Sequence, residues 1–306
     1  MIEEVALADP GPDEVLVTLT HGGVNPVDRY NALGRVAPEG PLPRTLGSEA
    51  VGILDGEAVL VRGHGLGSRR DGLWASAAVV PRAAVVPLPA GVDPLAAASM
   101  GVAGLTAWRV VDELGSVGPE DRVLVLGASG GVGTIICSLA HHRGATVWGQ
   151  TASAEKVAFV AAQGAERVVT CDASGLLAAV ADLHPTVVFD PLGGPFTAAA
   201  LEALAPYGRL ILFGTSAGAH GEIHLQHLYR SAQRVLGYSG MHEPEERARP
   251  ALENALAALA RGEFAIAVDA VLPLARVNDA FARLVERDVR GQIVLDLVPS
   301  EVDSTV

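Results

Sequence analysis

Short apolar runs alternate with alanine- and leucine-rich stretches through the middle of the chain. Runs that are apolar throughout are typical of parallel strands buried on both faces, and the stretches between them repeat their apolar residues at helical spacing. The predicted strands are residues 123–126, 146–148, 167–170, 186–190, 209–213 and 234–237. This alternation predicts an α/β fold with a parallel, doubly wound sheet over residues 99–240.

The two ends of the chain show a different pattern. Valine-rich runs broken by glycine and proline predict a small barrel-like β domain, with strands at residues 15–19, 51–54, 59–61, 77–80 and 85–88. The tail is predicted to form a helix, a strand, a helix and a strand, at residues 245–261, 268–272, 277–287 and 292–297. We expect the tail to return to the first domain. The predicted domains are therefore residues 1–98 with 241–306, and residues 99–240.

A glycine-rich turn follows the first strand of the middle region. Its sequence from Gly127 to Gly133 is GASGGVG, with Ala128 at the first glycine position of the usual G-x-G-x-x-G pattern. In such turns the glycines permit a tight bend, an approach of backbone N–H groups to a pyrophosphate, and close packing of helix on strand. The phosphates then lie at the positive end of the helix. The strand–turn–helix context predicts a Rossmann domain that binds a dinucleotide through the residues Ser129, Gly130, Gly131 and Val132.

The end of the second predicted strand indicates which dinucleotide is bound. Sites specific for NAD usually place an Asp or Glu there to bind the ribose 2′-hydroxyl. In this chain no carboxylate precedes Glu155, and Lys156 is the only lysine. A carboxylate would repel a 2′-phosphate, whereas hydroxyls and an ammonium group favour it. We therefore predict NADPH, the alternative for Lys156 being an ordinary exposed helix lysine.

Composition excludes several classes of partner. The 306 residues carry a formal net charge of −13, which argues against a nucleic-acid surface. No apolar run is long and uncharged enough to cross a bilayer, and the first ten residues lack a signal-peptide pattern. Two cysteines, Cys137 and Cys171, do not make a disulfide framework. We expect a soluble, cytoplasmic protein that acts on a small molecule, without a nucleic-acid or membrane partner.

Further motifs occur in an order that covers almost the whole chain. They are Gly23-Val24-Asn25-Pro26-Val27-Asp28, Leu46-Gly47-Ser48-Glu49-Ala50-Val51-Gly52, Val86-Pro87-Leu88-Pro89, Gly104-Leu105-Thr106-Ala107, the glycine turn, and Arg290-Gly291-Gln292-Ile293-Val294-Leu295. In these motifs the chain resembles the medium-chain dehydrogenase/reductase superfamily, specifically its zinc-free quinone oxidoreductase (zeta-crystallin-like) branch. The resemblance implies a GroES-like catalytic domain beside the Rossmann domain, and a homodimer.

The resemblance also implies roles for individual residues. It places Asn25 beside the nicotinamide and Tyr30 at the substrate mouth, although Tyr30 is equally well interpreted as a half-buried packing residue. It assigns the 2′-phosphate pocket to Ser153, Lys156 and Arg287. The positions it implies around the nicotinamide ribose are Thr106, Asp190, Gly214, Thr215 and Ser216. For Asp190 the alternative is a turn residue before Pro191.

The motifs also bear on zinc. Zinc-dependent members of the superfamily use a cysteine and a histidine where this chain has Asn25 and Ser48. A catalytic zinc needs three good N, S or O ligands. The histidines at 220, 224 and 227 are better interpreted as loop and helix-face residues, so we predict no metal. Without a Lewis acid, hydride transfer from NADPH to a quinone or an activated alkene fits better than alcohol oxidation.

Two other functions stay open. The glycine-rich loop at residues 62–74 resembles that of acrylyl-CoA reductase-like relatives, and its Arg69 and Arg70 could attract a carrier phosphate. This favours an enoyl-thioester reductase, or a tailoring reductase of specialised metabolism. The alternative from another class is an NADPH-binding protein with little or no turnover, because a binding fold does not imply catalysis.

Overall fold

The chain forms two compact units in the computed structural model, which describes residues 2–37 and 42–298. The first unit comprises Met1–Leu105, Pro244–Arg261 and Ile266–Val306, and the second comprises Thr106–Glu243 and Gly262–Ala265. The sequence prediction drew these bounds a few residues earlier and assigned residues 262–265 to the first unit. Residues 262–265 belong to the second unit because Glu263 forms an ion pair with Arg143 of that unit at 2.8 Å.

The N-terminal part of the first unit is mostly β-structure. Its elements are β1 (Glu14–Val24), α1 (Pro26–Ala32), β2 (Glu49–Leu54), β3 (Glu57–Arg62), β4 (Ala77–Pro81), β5 (Val85–Pro87) and α2 (Pro94–Ala97). A helical stretch follows from Met100 to Leu114, in which α3 (Leu105–Trp108) is α-helical and the turns on either side are wider π turns.

The second unit alternates strand and helix. Its further elements are β6 (Arg122–Val125), α4 (Gly131–His142), β7 (Thr146–Thr151), α5 (Val157–Ala161), β8 (Arg167–Thr170), α6 (Ala173–Ala179), β9 (Val187–Asp190), α7 (Pro195–Ala203), β10 (Arg209–Leu212), α8 (Leu225–Arg230) and β11 (Arg234–Gly237). The strands pair in parallel in the order β11-β10-β9-β6-β7-β8. This is the strand order of a dinucleotide-binding Rossmann sheet. The order in which successive strands are added reverses between β6 and β9, while all strands stay parallel.

The tail supplies α9 (Glu245–Ala260), β12 (Val268–Pro273), α10 (Val277–Glu286) and β13 (Gln292–Asp296). The last two strands join the sheet of the first unit, whose order is β12-β13-β1-β2-β3-β5, with β4 also paired to β1. Strand β1 is eleven residues long, so it can pair with both β4 and β13 along the same edge. Its first part pairs with β4, and His21–Val24 pairs with β13. The predicted α/β fold class is thus confirmed.

Both cores follow from the apolar patterns. In β1 the side chains of Val15, Val17 and Leu19 are buried while Leu16 is exposed, as expected for a strand with one buried face. In the second unit the central strands are buried throughout, because helices cover both faces of a parallel sheet. None of the helices in the described part of the chain is long and apolar enough to span a bilayer.

Candidate cofactor-binding and active-site residues

The glycine turn lies between β6 and α4, where the sequence predicted it. Gly127 adopts a positive φ of 58°, which glycine tolerates without strain. A Cβ added at Gly133 would lie 2.6 Å from the carbonyl oxygen of Gly127 and 2.9 Å from the Cα of Ala128. Only glycine therefore lets the first turn of α4 pack this closely on the preceding loop.

The residues predicted to bind the pyrophosphate lie at the start of α4. Ser129 and Gly130 precede the helix, which begins at Gly131 and continues with Val132. The first amides of an α-helix lack partners within the helix, and the helix dipole adds positive potential there. This geometry suits a phosphate anion. Contact of these four residues with a cofactor stays a prediction.

Gln150 holds the end of β7 against this turn. Its side-chain oxygen accepts a hydrogen bond from the Gly127 N–H at 3.1 Å, and its side-chain nitrogen donates to the carbonyl oxygen of Cys171 at 2.7 Å. Gln150 is buried near the end of β7, the region in which an NAD-binding site usually carries an acid. From the sequence alone only the missing carboxylate was apparent, and this role of Gln150 was not predicted.

Ser153 and Lys156 follow directly after β7. Ser153 caps the short helical turn Ala154–Lys156, because its hydroxyl accepts a hydrogen bond from the Glu155 N–H at 3.3 Å. Both Ser153 and Lys156 are half-buried. The two predicted 2′-phosphate ligands of the second unit therefore lie three residues apart on one turn at the carboxyl end of β7.

Asp190 ends β9 as a fully buried turn residue. One carboxylate oxygen accepts from the backbone N–H groups of Leu192 and Gly193, at 2.8 and 2.9 Å, and the other accepts from the Thr197 hydroxyl at 2.6 Å. These contacts match the turn alternative considered for this residue. They hold the loop after β9, and a ribose contact of Asp190 stays a prediction.

The loop after β10 is bonded to the loop after β9. The Ser216 backbone N–H donates to the carbonyl oxygen of Pro191 at 3.2 Å, and the Ser216 hydroxyl does so at 3.3 Å. Gly214 and Thr215 belong to the same loop, and Thr106 is half-buried in α3. Because β9 and β10 are parallel neighbours, their carboxyl ends bring these loops together, where an open α/β sheet binds its ligand.

Asn25 lies in the first unit inside a buried polar group. It is the N-cap residue of α1, and its backbone N–H donates to an Asp28 carboxylate oxygen at 2.8 Å. Its side-chain amide nitrogen donates to Oε1 of Glu49 at 2.5 Å. The other oxygen of Glu49 accepts from the Val102 N–H at 3.0 Å. The second oxygen of Asp28 accepts from the Ser48 backbone N–H and hydroxyl, at 2.9 and 2.6 Å.

Burial changes the acidity of both carboxyl groups. Loss of solvation raises the pKa of Glu49 from 4.5 to about 8, against the opposing hydrogen bond from Asn25. The same cause raises the pKa of Asp28 from 3.8 to about 6, against its hydrogen bonds from Ser48 and Asn25. Both carboxyls are fully buried, which is rare for acids outside functional sites.

Comparison with known proteins places the chain in a family. A family model described as "Zinc-binding dehydrogenase" matches residues 131–260. Prostaglandin reductase-3 of Bos taurus is 29% identical over 95% of this chain and 83% of the relative. The solved quinone oxidoreductase of Thermus thermophilus, described together with its NADPH complex, has a TM-score of 0.83 at 27% identity, over 96% of this chain and 95% of the other. The chain belongs to the medium-chain dehydrogenase/reductase superfamily, in its quinone-oxidoreductase branch.

This membership confirms the resemblance drawn from the motifs, and makes the chain an oxidoreductase of that superfamily. The superfamily does not use one cofactor throughout. A solved NAD-dependent alcohol dehydrogenase is also similar, with a TM-score of 0.85 at 26% identity, over 97% of this chain and 95% of that protein. The choice between NADPH and NADH therefore depends on the residues after β7.

The donor set of the first unit does not fit the zinc of zinc-dependent superfamily members. Asn25 and Ser48 stand at the ligand positions, and an amide and a hydroxyl are poor partners for this ion. Within residues 2–37 and 42–298, no three His, Cys, Asp or Glu side chains form a group that could hold a metal. His220 precedes α8, so it does not share a helix face with His227. We derive no step through zinc.

The remaining predicted residues lie in the first unit. Tyr30 belongs to α1 and is 36% exposed, which is compatible with both interpretations of this residue. Arg287 follows α10 with a left-handed φ of 58° and is exposed. Since Ser153 and Lys156 belong to the second unit, a common role of the three residues stays a prediction.

Proposed function

We propose that the chain is an NADPH-dependent reductase that transfers hydride to a quinone or an activated alkene without a metal. One observation carries the choice of cofactor. The end of β7 carries no acid before Glu155: Gln150 is a buried amide there, and Ser153 and Lys156 follow on one turn. A hydroxyl and an ammonium group favour a 2′-phosphate, which a carboxylate would repel.

The proposed reaction balances with one proton. When bound, NADPH would supply a hydride equivalent to the acceptor, and one proton from solvent would complete the reduced product, with NADP⁺ as the other product; the residues at the start of α4, Ser153 and Lys156 would hold the cofactor. The protein orients the acceptor and stabilises the negative charge that develops on its oxygen. Asn25 and Tyr30 are the residues that we propose for these contacts.

Lys156→Gln tests the choice of cofactor. We expect the Kd for NADPH to rise about 10-fold while the Kd for NADH is unchanged, because a charge-assisted hydrogen bond is lost. Arg167→Gln is the matched control, since it removes an exposed cation from the same unit, 3.6 Å from Asp182. Titration of both variants with both cofactors gives the comparison. An unchanged ratio of the two Kd values in Lys156→Gln would refute the assignment.

The acceptor is tested by NADPH oxidation with 1,4-naphthoquinone, an enone and crotonyl-CoA. Turnover with the quinone or the enone supports the proposal. Tight NADPH binding without turnover on any of the three would instead identify a cofactor-binding protein that is not a reductase.

A thioester substrate is the second candidate, because two guanidinium groups are presented by one compact loop. The carbonyl oxygen of Gly65 accepts from the backbone N–H groups of Ser68, Arg69 and Arg70, at distances of 2.8 to 3.1 Å. The side chains of Arg69 and Arg70 are exposed. If a carrier phosphate binds there, Arg69→Gln with Arg70→Gln raises KM for crotonyl-CoA and leaves KM for an enone unchanged.

We further propose a homodimer and a cytoplasmic location. The dimer proposal is supported by β11, which lies at the end of its sheet and exposes Val235. Leu225, Tyr229 and Met241, in the neighbouring segments, are also exposed. Unpaired sheet edges and exposed apolar side chains favour association. Val235→Glu should shift the molar mass in solution to that of a monomer, whereas Leu16→Glu, at an exposed site of the first unit, should not.

A further inference from the structure

We propose that Gln150 is a positioning residue that holds the glycine turn and the Ser153–Lys156 turn at a fixed separation, and thereby supports the preference for NADPH over NADH. This inference rests on the proposed function, which places the pyrophosphate at the start of α4 and the 2′-phosphate at Ser153 and Lys156. Gln150 lies near the end of β7, three residues before Ser153.

Gln150 binds the glycine turn through both its side chain and its backbone. Its Oε1 accepts a hydrogen bond from the Gly127 N–H at 3.1 Å, and its carbonyl oxygen accepts from the Ala128 N–H at 2.9 Å. Its Nε2 donates to the carbonyl oxygen of Cys171, which directly follows β8, at 2.7 Å. One residue of β7 therefore joins the segments that follow both neighbouring strands, β6 and β8.

The direction of the Gln150 amide follows from the chemistry of its two partners. A backbone N–H can only donate and a backbone carbonyl can only accept, so Oε1 faces Gly127 and Nε2 faces Cys171. Neither partner titrates, so this arrangement does not depend on pH. The side chain is 1% exposed, and a rotated amide would lose both hydrogen bonds where water cannot replace them.

Close packing at Gly149 adds to these hydrogen bonds. A Cβ added at Gly149 would lie 3.0 Å from the Cβ of Ala128, in the glycine turn, and 2.7 Å from Cγ1 of Val160, in α5. Helix α5 begins directly after Lys156. The end of β7 thus packs against the glycine turn and against the helix that continues from the Ser153–Lys156 turn.

A fixed separation matters more for NADPH than for NADH. Both cofactors carry the pyrophosphate, but only NADPH carries a 2′-phosphate that has to reach Ser153 and Lys156 while the pyrophosphate lies at α4. Two linked groups bind well together only when the protein presents both sites in the right geometry beforehand. Loss of the Gln150 side chain should therefore weaken the binding of NADPH more than that of NADH.

Gln150→Leu tests the proposal, because leucine is of similar size and makes neither amide hydrogen bond. We expect the Kd for NADPH to rise about 10-fold and the Kd for NADH about 2-fold, so the preference for NADPH falls about 5-fold. Titration of the folded protein with each cofactor gives both values. A role in stability alone would leave the ratio of the two Kd values unchanged.

Gln233→Leu is the matched control. Gln233 is a buried glutamine of the same unit, and its Nε2 donates to the carbonyl oxygens of Leu201 and Leu204 at 3.1 and 2.7 Å. It directly precedes β11, at the amino ends of the parallel strands, whereas Gln150 lies at their carboxyl ends. Gln233→Leu should lower stability and leave the ratio of the Kd values as in the wild type. An equal change of the ratio in both variants would overturn the proposal.

A double mutant tests whether Gln150 acts through the 2′-phosphate site. Once Lys156→Gln has weakened that site, adding Gln150→Leu should change the ratio little further. The same change of ratio with and without Lys156 would overturn the proposal. If Gln150→Leu does not fold, Gln150→Asn replaces it, since its side chain is one methylene shorter and cannot keep both bonds at their present lengths. A wild-type ratio in whichever of the two variants folds would overturn the proposal as well.

Lys156→Gln alone separates this inference from the proposed function. A lowered preference for NADPH in Lys156→Gln, with none in Gln150→Leu, refutes the inference about Gln150 and leaves the 2′-phosphate site standing. An unchanged preference in Lys156→Gln refutes the 2′-phosphate site and the inference together. All of these measurements are of binding, so they do not depend on which acceptor the protein reduces.

Discussion

The two units use buried polar side chains in different ways. In the second unit, Gln150 and Asp190 hold mainly the backbone groups of turns, which keeps the loops at the carboxyl ends of the strands in place. In the first unit, Glu49 and Asp28 hold both the backbone and the side chain of Asn25. The second unit thus uses its buried polar side chains to position backbone loops, and the first unit uses them to position one residue, Asn25.

The stability of the two regions therefore depends on different physical factors. The acids of the first unit are buried without a cationic partner among their hydrogen-bonding groups, so their protonation depends on pH within the neutral range. The turn around Gly127 depends instead on sterics, through positions that have no room for a Cβ. Perturbing the two regions should therefore produce distinguishable effects.

The largest expected effect is on the pH dependence of stability. The folded protein retains protons on Glu49 up to about pH 8 and on Asp28 up to about pH 6, whereas the unfolded chain releases them near 4.5 and 3.8. Stability from this pair is therefore complete below the unfolded values and is lost as the pH rises through the folded ones. Urea denaturation should show the free energy of unfolding falling by roughly a few kcal/mol over this range.

Glu49→Gln cannot titrate at this position and provides the comparison. Its free energy of unfolding should fall less steeply between about pH 5 and about pH 8 than that of the wild type. Parallel slopes in the two proteins would show that Glu49 does not carry the effect.

A smaller effect is expected from a methyl group in the glycine turn. Gly133→Ala places a Cβ 2.6 Å from the Gly127 oxygen, which should cost about 1–3 kcal/mol and weaken NADPH binding. Gly118→Ala is the control, because a Cβ at Gly118 meets no atom within 4 Å. Urea denaturation and cofactor titration measure both variants. Equal stability of the two would contradict the steric account of this turn.

Removal of the Asp190 carboxylate should give a similar or smaller loss. Asp190→Ala leaves two backbone N–H groups without their acceptor, at a cost of about 1–3 kcal/mol. Asp190→Asn keeps one oxygen for both groups and should cost less. Asp93→Ala removes a cap at an exposed site, where the Leu95 N–H is bonded at 3.0 Å, and should cost about 0.5–1 kcal/mol. A thermal melt of each variant ranks them, and a milder effect of Asp190→Ala than of Asp93→Ala would refute this role.

The smallest expected effect on the free energy of unfolding is at the glycine-rich loop of residues 62–74. Arg69→Gln and Arg70→Gln should change the free energy of unfolding by less than about 0.5 kcal/mol, because both side chains are exposed. A larger change in urea denaturation would mean that these arginines support the first unit.

Local patterns determined the fold class and the glycine turn. The strand before Gly127 and the helix that begins at Gly131 were predictable because apolar periodicity and glycine sterics act over a few residues. The return of the tail to the first unit was expected, but the pairing of β13 with β1 was not predicted. Contacts between residues so distant in sequence leave no local pattern.

The polar group around Asn25 was predictable only in part. Asp28 lies three residues after Asn25, a capping spacing that could have been recognised. Glu49 was recognisable from the sequence only as part of a motif, although an acid at the start of an apolar strand is a usable signal of a functional site.

The sequence by itself determined the fold class, the superfamily, and the absence of an acid after the second strand of the Rossmann unit. Only the tertiary structure decided three sets of hydrogen bonds. Glu49 and Asp28 accept from Asn25, Gln150 accepts from the Gly127 N–H, and Asp190 accepts from the backbone of the turn that follows it. The physical reason is that periodicity and turn chemistry are local. The direction of a buried hydrogen bond, and the pKa it accompanies, depend on groups as distant in sequence as Asn25 and Glu49, which are 24 residues apart.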